Sequence, residues 1–474
     1  MKKIKHLITA ITLTATCNVA AQNLNSAYFL DGYAYGHLMN PAKDYDRSSY
    51  FSVPFLPGNL NFGLKGNIGL KNIFLKNPNG NGLVTYMHPS ISYDKAMSNF
   101  SNNNKLIYDQ RYDILSFGFH GMGGYNTFTL GLRSNIGMNM PYELFSLTKR
   151  LENRDYEIED LGVNATVWSE IGLGHSRQIN EAWRIGAKAK ILLGGGYARL
   201  NVDELELDLE NPNRWVAEGN ATMEMGLKGF TWGETETKEY VSKPGTYEQL
   251  NLDNADIESP GLNGGGFAVD LGAEWDLGKQ GLLDGMKISA ALLDLGFIKW
   301  SNVGMAYNKG EEFVFDGFQN IQVEDGPGTS FDDQIDELED KLSDLISLQD
   351  GGTTSKARSI GATFNLGVEY ALPAYDKLSF GLLSTTCFRG EYTWNEERLS
   401  ANVSPVKWFE VGANVGVGTF GASFGWVVNI HPKGFNLFMG MDHMLGKLSK
   451  QGIPLKSNVD FSMGINFPLG KSKI

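Results

Sequence analysis

Phe409-Glu-Val-Gly-Ala-Asn-Val-Gly-Val-Gly418, joined by a tight Gly-Thr turn to Phe420-Gly-Ala-Ser-Phe-Gly-Trp-Val-Val-Asn-Ile430, is the heart of a stretch running from Trp408 to Met441. Phe409, Val411, Ala413, Val415 and Val417 alternate with Glu410, Gly412, Asn414, Gly416 and Gly418. Beyond the turn, Phe420, Ala422, Phe424, Trp426, Val428 and Ile430 stand against Gly421, Ser423, Gly425 and Asn429. Successive side chains of a strand point to opposite faces, so this period of two predicts β-strands with one apolar face. The other face decides the class. A soluble sandwich would show Lys, Glu and Thr to water, whereas Gly, Ser and Asn suit a crowded or water-filled interior. Strands of about ten residues with these two faces are what a transmembrane β-barrel requires: lipid outside, a polar interior, no open edge.

The same pattern recurs on both sides of this stretch. Phe128, Leu130, Leu132, Ile136 and Met138 alternate with small or polar residues, as do Val163 to Leu173 and Ile185 to Leu193. In the last of these the second face carries Arg184, Lys188 and Lys190, which predicts a wet interior. Further strands are expected at 83–93, 113–122, 265–275, 286–297, 360–372, 378–388, 392–403, 435–441 and 459–467. Long loops are expected near 94–110, 139–161, 201–263 and 300–358, and short turns elsewhere. Long loops face outside and short turns face the periplasm, with both termini periplasmic. Seven strands after the 300–358 loop return the chain to the periplasm and put the Gly416–Gly421 turn outside. Parity then allows one strand before the first long loop, 83–93, for fourteen in all, or three for sixteen. Fourteen is preferred, with residues 22–82 as an N-terminal plug, because Pro54, Pro57 and the Gly/Asn run 77–82 interrupt pairing.

Composition agrees. Glycine makes up 57 of 474 residues and aromatics 12%, too apolar and aromatic for a disordered chain. No run of ~20 apolar residues exists for a helical span. Mean hydropathy is −0.24, as expected when two unlike faces average out. Lys2, Lys3 and Lys5, an apolar run from Leu7 to Ala15, and Val19-Ala20-Ala21 before Gln22 read as a signal peptide cleaved between Ala21 and Gln22. Domain organisation is therefore expected as 1–21 leader, 22–82 plug and 83–474 barrel, exported to the outer membrane of a Gram-negative envelope. Cleavage leaves Cys387 alone, so no internal disulfide forms. The formal charge of −13 argues against nucleic acid as a partner.

Chemical motifs are weak. Gly416-x-Gly418-x-x-Gly421 is followed by a strand, not the helix that a dinucleotide site needs. Histidines are scattered without HExxH or paired Cys/His spacing, so no metal is expected. Asp253-Asn-Ala-Asp256 lacks the rest of a calcium loop, and no GxSxG turn marks a hydrolase. The reading is a non-enzyme without cofactors. One segment departs from β patterning: Phe331, Ile335, Leu338, Leu342 and Leu345 recur at three and four residues among Asp and Glu, predicting a short acidic amphipathic helix in the 300–358 loop, either packed over the barrel or docking a partner.

Tyr28-Phe29-Leu30-Asp31-Gly32 and Met39-Asn40-Pro41-Ala42, with the leader, resemble a family of outer-membrane barrels of unknown function. More broadly the chain resembles the long-chain fatty-acid transporter superfamily, which includes a barrel subunit of the type IX secretion machinery. That resemblance implies a lumen plugged by the N-terminal segment, with Asn40, Pro41 and Ala42 as plug residues; Tyr28, Phe29 and Tyr33 of the same aromatic segment are further candidate ligand or plug residues. It also implies passive transport of a hydrophobic or small amphipathic solute. The acidic loops are unlike a greasy funnel. The alternative is a scaffold or anchoring subunit of a surface or secretion complex.

Overall fold

A computed structural model describes residues 23–472, apart from 46, 55, 57, 81, 151–153, 210–214, 241–242, 253–254, 316–346 and 445–456. The expected leader, its Ala21/Gln22 cleavage site and the Phe331–Leu345 helix lie outside the described residues. The wall is a closed antiparallel barrel of fourteen positions. Position β1 has two pieces, Arg47–Phe51 and Asn59–Gly66. β2 to β5 are Asn103–Gly121, Gly124–Pro141, Tyr156–Gln178 and Trp183–Asp208. β6 again has two pieces, Trp215–Leu227 and Gly264–Asp276, and β7 is Met286–Phe315. β8 combines Gln349–Ser359 with Ala362–Ala371. β9 to β14 are Leu378–Phe388, Trp394–Val406, Phe409–Gly418, Gly421–Ile430, Asn436–Met441 and Val459–Ser472. Tyr50 opposite Pro468 and Leu60 opposite Met463 close β1 onto β14.

The hairpin β11–β12 shows why the wall forms. Val415, Val417 and Phe424 are exposed, Val417 by 63%, while Glu410, Asn414 and Asn429 are buried inside. The same holds for Leu173, Ile185, Ile191, Phe267, Leu295 and Leu382, so an apolar belt surrounds the barrel. Apolar side chains on this outer face are stable only against lipid. None of the described helices is long and apolar enough to cross a membrane; the crossing is made by strands.

Three expectations are corrected. The first wall strand is not 83–93 but β1, within the stretch expected as plug. Pro54 does interrupt pairing, yet the pieces on either side both pair with β14 and β2. A proline removes one ladder donor and is tolerated where a strand breaks. Residues 83–93 form half of a small hairpin, Leu83–Thr85 against Phe74–Lys76, followed by turns and the helix Tyr93–Met97. Their apolar content serves a separate core, in which Phe100 and Phe145 stack at 3.9 Å. The count of fourteen therefore stands with a different first strand, and the first long loop is 67–102.

The strands also outrun the bilayer. β5 has 26 residues and β7 has 30, well above the ~10 needed to cross. Past Gly195, which has no partner opposite in β4, β5 continues as paired strand to Asp208, with Leu205, Leu207 and the following Leu209 buried and Glu204, Glu206 and Asp208 exposed. Much of the expected 201–263 loop is thus wall, and these leucines join Tyr156, Ala217, Trp232 and the helix Tyr142–Lys149 in a second apolar core.

Candidate functional site in the barrel lumen

Residues 23–45 lie inside the wall, folded as a chain of turns. Their backbone satisfies itself locally: Ala27 N donates to Leu24 O (2.9 Å), Gly36 N to Tyr33 O (3.1 Å), Leu38 N to Tyr35 O (2.9 Å) and Lys43 N to Asn40 O (3.0 Å). Asn40 Oδ1 also accepts from Ala42 N (2.9 Å) across Pro41, which has no N–H of its own. Inward-facing wall residues take the backbone groups left over. Asp442 accepts from Asn25 N and Ser26 N, Glu410 accepts from Gly32 N, and Asn365 and Asn436 donate to Met39 O and Gly32 O.

The inward glycines are seats for this segment. A Cβ on Gly186 would lie 2.1 Å from Pro41 O, and one on Gly272 would lie 2.1 Å from Asn40 Oδ1. At Gly381 it would lie 2.3 Å from the Phe29 ring. Of the two interiors that the sequence allows, crowded or water-filled, these positions have the crowded one.

Tyr28, Phe29, Tyr33, Asn40, Pro41 and Ala42 are all brought into this one segment but do different things. Asn40-Pro41-Ala42 sits on the wall at Gly186 and Gly272. Tyr28 is buried, its Oη 3.0 Å from Ser289 Oγ, with Lys43 Nζ 4.5 Å over its ring. Phe29 and Tyr33 face a cavity of about 630 Å³ between the segment and the wall, at the short-turn end. A second cavity, of about 50 Å³, lies among Asn25, Arg111, Asp294 and Arg389. Sequence reasoning missed Tyr35, His37 and Tyr45, whose rings pack with Tyr50 of β1. The signal was present in the continued aromatic run.

Successive inward positions of β5 map the lumen. Arg184 lines the cavity, Gly186 meets Pro41, Lys190 enters a charge layer, and Leu192 enters an apolar plate with Trp168, Ile298 and Trp300. In the charge layer Arg111 pairs with Asp113 (2.9 Å) and Glu170 (2.8 Å), Arg133 with Asp294 (2.8 Å), and Lys190 with Asp270 (2.7 Å) and Asp294 (2.5 Å). A second buried cluster on the opposite wall joins His443 to Glu396 (2.8 Å) and Asp460 (2.5 Å), and Lys65 to Glu396 (3.2 Å). The charges named here are tolerated because each is paired and hydrogen-bonded. The wet interior expected around Lys190 is a closed ionic layer at that height.

Among the described residues, one carboxylate group, Glu157, Glu204 and Glu206, has ligand atoms within 4.8 Å of one another. All three are exposed, where the neighbouring strands β4 and β5 bring solvated acids together.

The model of a protein family of unknown function matches residues 41–442. No curated protein matches the chain. Solved structures with a similar chain course include the Pseudomonas putida toluene transporter TodX, at 8% identity, 93% of this chain, 95% of that one and a TM-score of 0.40. A Pseudomonas aeruginosa FadL homologue matches at 12% identity, 90% of each chain and 0.37. The translocator domain of the autotransporter NalP from Neisseria meningitidis matches at 8%, 90% of each chain and 0.29.

Proposed function

Because the chain belongs to that family, a family of unknown function (DUF5723), we propose a role from its own lumen: the barrel passes a small amphipathic solute across the outer membrane, and segment 23–45 gates the passage. The observation that carries this reading is the cavity of about 630 Å³ held between the segment and the wall, within the size range of small-molecule sites. Of the two solute classes expected, the amphipathic one is favoured. Phe29 and Tyr33 face charged wall residues across the cavity, and beyond it the route crosses an ionic layer with no continuous apolar path.

Deletion of residues 23–45, which leaves β1 whole, should give a folded barrel with raised conductance in planar bilayers. Folding is checked by the heat-dependent shift in gel mobility. A folded deletion variant that conducts no better than the intact protein would sink the gating role.

A second reading, an anchoring subunit of a surface or secretion complex, is favoured by one observation: β4, β5 and β7 run for 23, 26 and 30 residues, well past the ~10 needed to cross, and β4 and β5 bring the exposed Glu157, Glu204 and Glu206 together. Partners retained by pull-down after deletion of 23–45, but lost when Glu157, Glu204 and Glu206 become Lys, would support it.

A further inference from the structure

We propose that the short-turn-end cavity binds an organic cation, a small solute with an ammonium or guanidinium group on an aromatic or short apolar body. The proposal rests on the passage reading only in placing the cavity on a solute's route. Six carboxylates line the cavity against four basic side chains. Of the bases, Arg184 is taken by Asp44 at 3.2 Å, and Lys43 donates to Tyr28 O. Asp31, Glu369 and Glu274 all lie close enough to Lys287 to stabilise its charge, so three carboxylates gather around one lysine. This end of the cavity holds excess negative charge in a place that screens poorly.

The aromatic side matches. Lys43 Nζ lies 4.5 Å from the Tyr28 centroid and 5.9 Å from that of Phe29, so these rings already hold one ammonium ion against their faces. The Phe29 ring continues into the cavity, beside Tyr33 and Tyr45. A third observation points to a polar guest. Tyr125 and His37 line the cavity and are almost wholly buried, yet Tyr125 Oη and His37 Nδ1 have no hydrogen-bond partner among the described residues. Buried polar atoms are ordinarily satisfied, and a solute with several N–H groups can reach such atoms while its charge meets the carboxylates.

The test is calorimetric titration of the full barrel in lipid nanodiscs with phenethylammonium, 2-phenylethanol and phenylacetate, which share a body and differ in charge. The amine should bind at least tenfold more tightly than the alcohol, and phenylacetate more weakly still. The double variant Glu274→Gln/Glu369→Gln should lose tenfold or more in amine affinity with the alcohol unaffected. Lys287→Met should raise amine affinity, which a misfolded barrel could not do. Equal binding of amine and alcohol, tighter binding of phenylacetate, an unchanged double variant or no binding of any probe would overturn the proposal. Titration needs no flux, so a failed conductance experiment with amine binding intact would remove the gating role alone.

Discussion

His37 shows how one buried side chain ties the lumen segment to its surroundings. Its Nε2 lies 2.8 Å from Tyr50 Oη, and its ring packs between Tyr35 and Tyr50. Burial, with Lys188, Arg111 and Lys190 nearby, holds it well below the ordinary histidine value of 6.5. Lys43, Asp44 and Arg184 share its cavity, and His120 pairs with the same Asp44. The docked ring therefore stays neutral where a released segment would take up a proton. With the folded value depressed, docking is unaffected above about pH 6.5 and weakens as pH falls below it, by at most ~1.4 kcal/mol per pH unit. Protection of residues 23–45 from protease should decline between pH 7 and pH 5, and His37→Gln should flatten that decline. A decline of the same size in the variant would place the titration elsewhere.

At the scale of the element, the segment and the wall were shaped to each other through glycine. Gly186→Val would drive a side chain into the Pro41 carbonyl, where the backbone has no freedom to yield. Overpacking of this kind costs about 1–3 kcal/mol. The expected outcome is faster cleavage of the segment and higher conductance, with the barrel's own gel-mobility shift retained. Gly265→Val is the control, because a Cβ there meets nothing within 4 Å. Equal effects from the two substitutions would argue against seating. The same scale shows in β5, where Gly195 is an extra residue against β4 and the register against β6 shifts again between Val202 and Glu204. Each extra residue re-aims the side chains that follow, so the apolar positions pass from Ile191 and Leu193 to Leu200 and Val202 and then to Leu205 and Leu207.

The whole molecule is a wall with an apolar belt outside and a filled interior. Leu173, exposed by 63%, belongs to the belt, whereas Glu206 is exposed in the extended part of β5. Leu173→Arg should lower unfolding free energy in lipid vesicles by about 2–4 kcal/mol if the belt meets hydrocarbon near its midplane. Glu206→Arg should change it by less than about 0.5 kcal/mol, as surface substitutions do. Similar values for both, measured by urea titration of tryptophan fluorescence, would mean that the belt does not lie in the membrane.

Particular residues show how far a linear reading reaches. The alternation of Phe409 to Ile430 was enough for the barrel, because it is a local property of each strand; parity of loops left fourteen or sixteen positions, and the preferred fourteen stands with a first strand that parity could not place. The run from Leu83 to Ile91 looked like one wall strand and is not, since only Leu83–Thr85 pairs, in a small hairpin, His88-Pro89-Ser90 bends the chain, and a separate core claims Val84, Tyr86 and Ile91. Lys188 and Lys190 were legible as inward-facing, but the partners of Lys190, Asp270 and Asp294, lie on two other strands. Ser26 meets Asp442 across 416 positions of sequence. The sequence by itself determined a membrane barrel, because a period of two with lipid on one side is written in each strand. Only the tertiary structure decided where the wall begins, which segment fills it and what cavity remains, because those depend on side chains converging across a closed lumen from strands whose order in space no local pattern encodes.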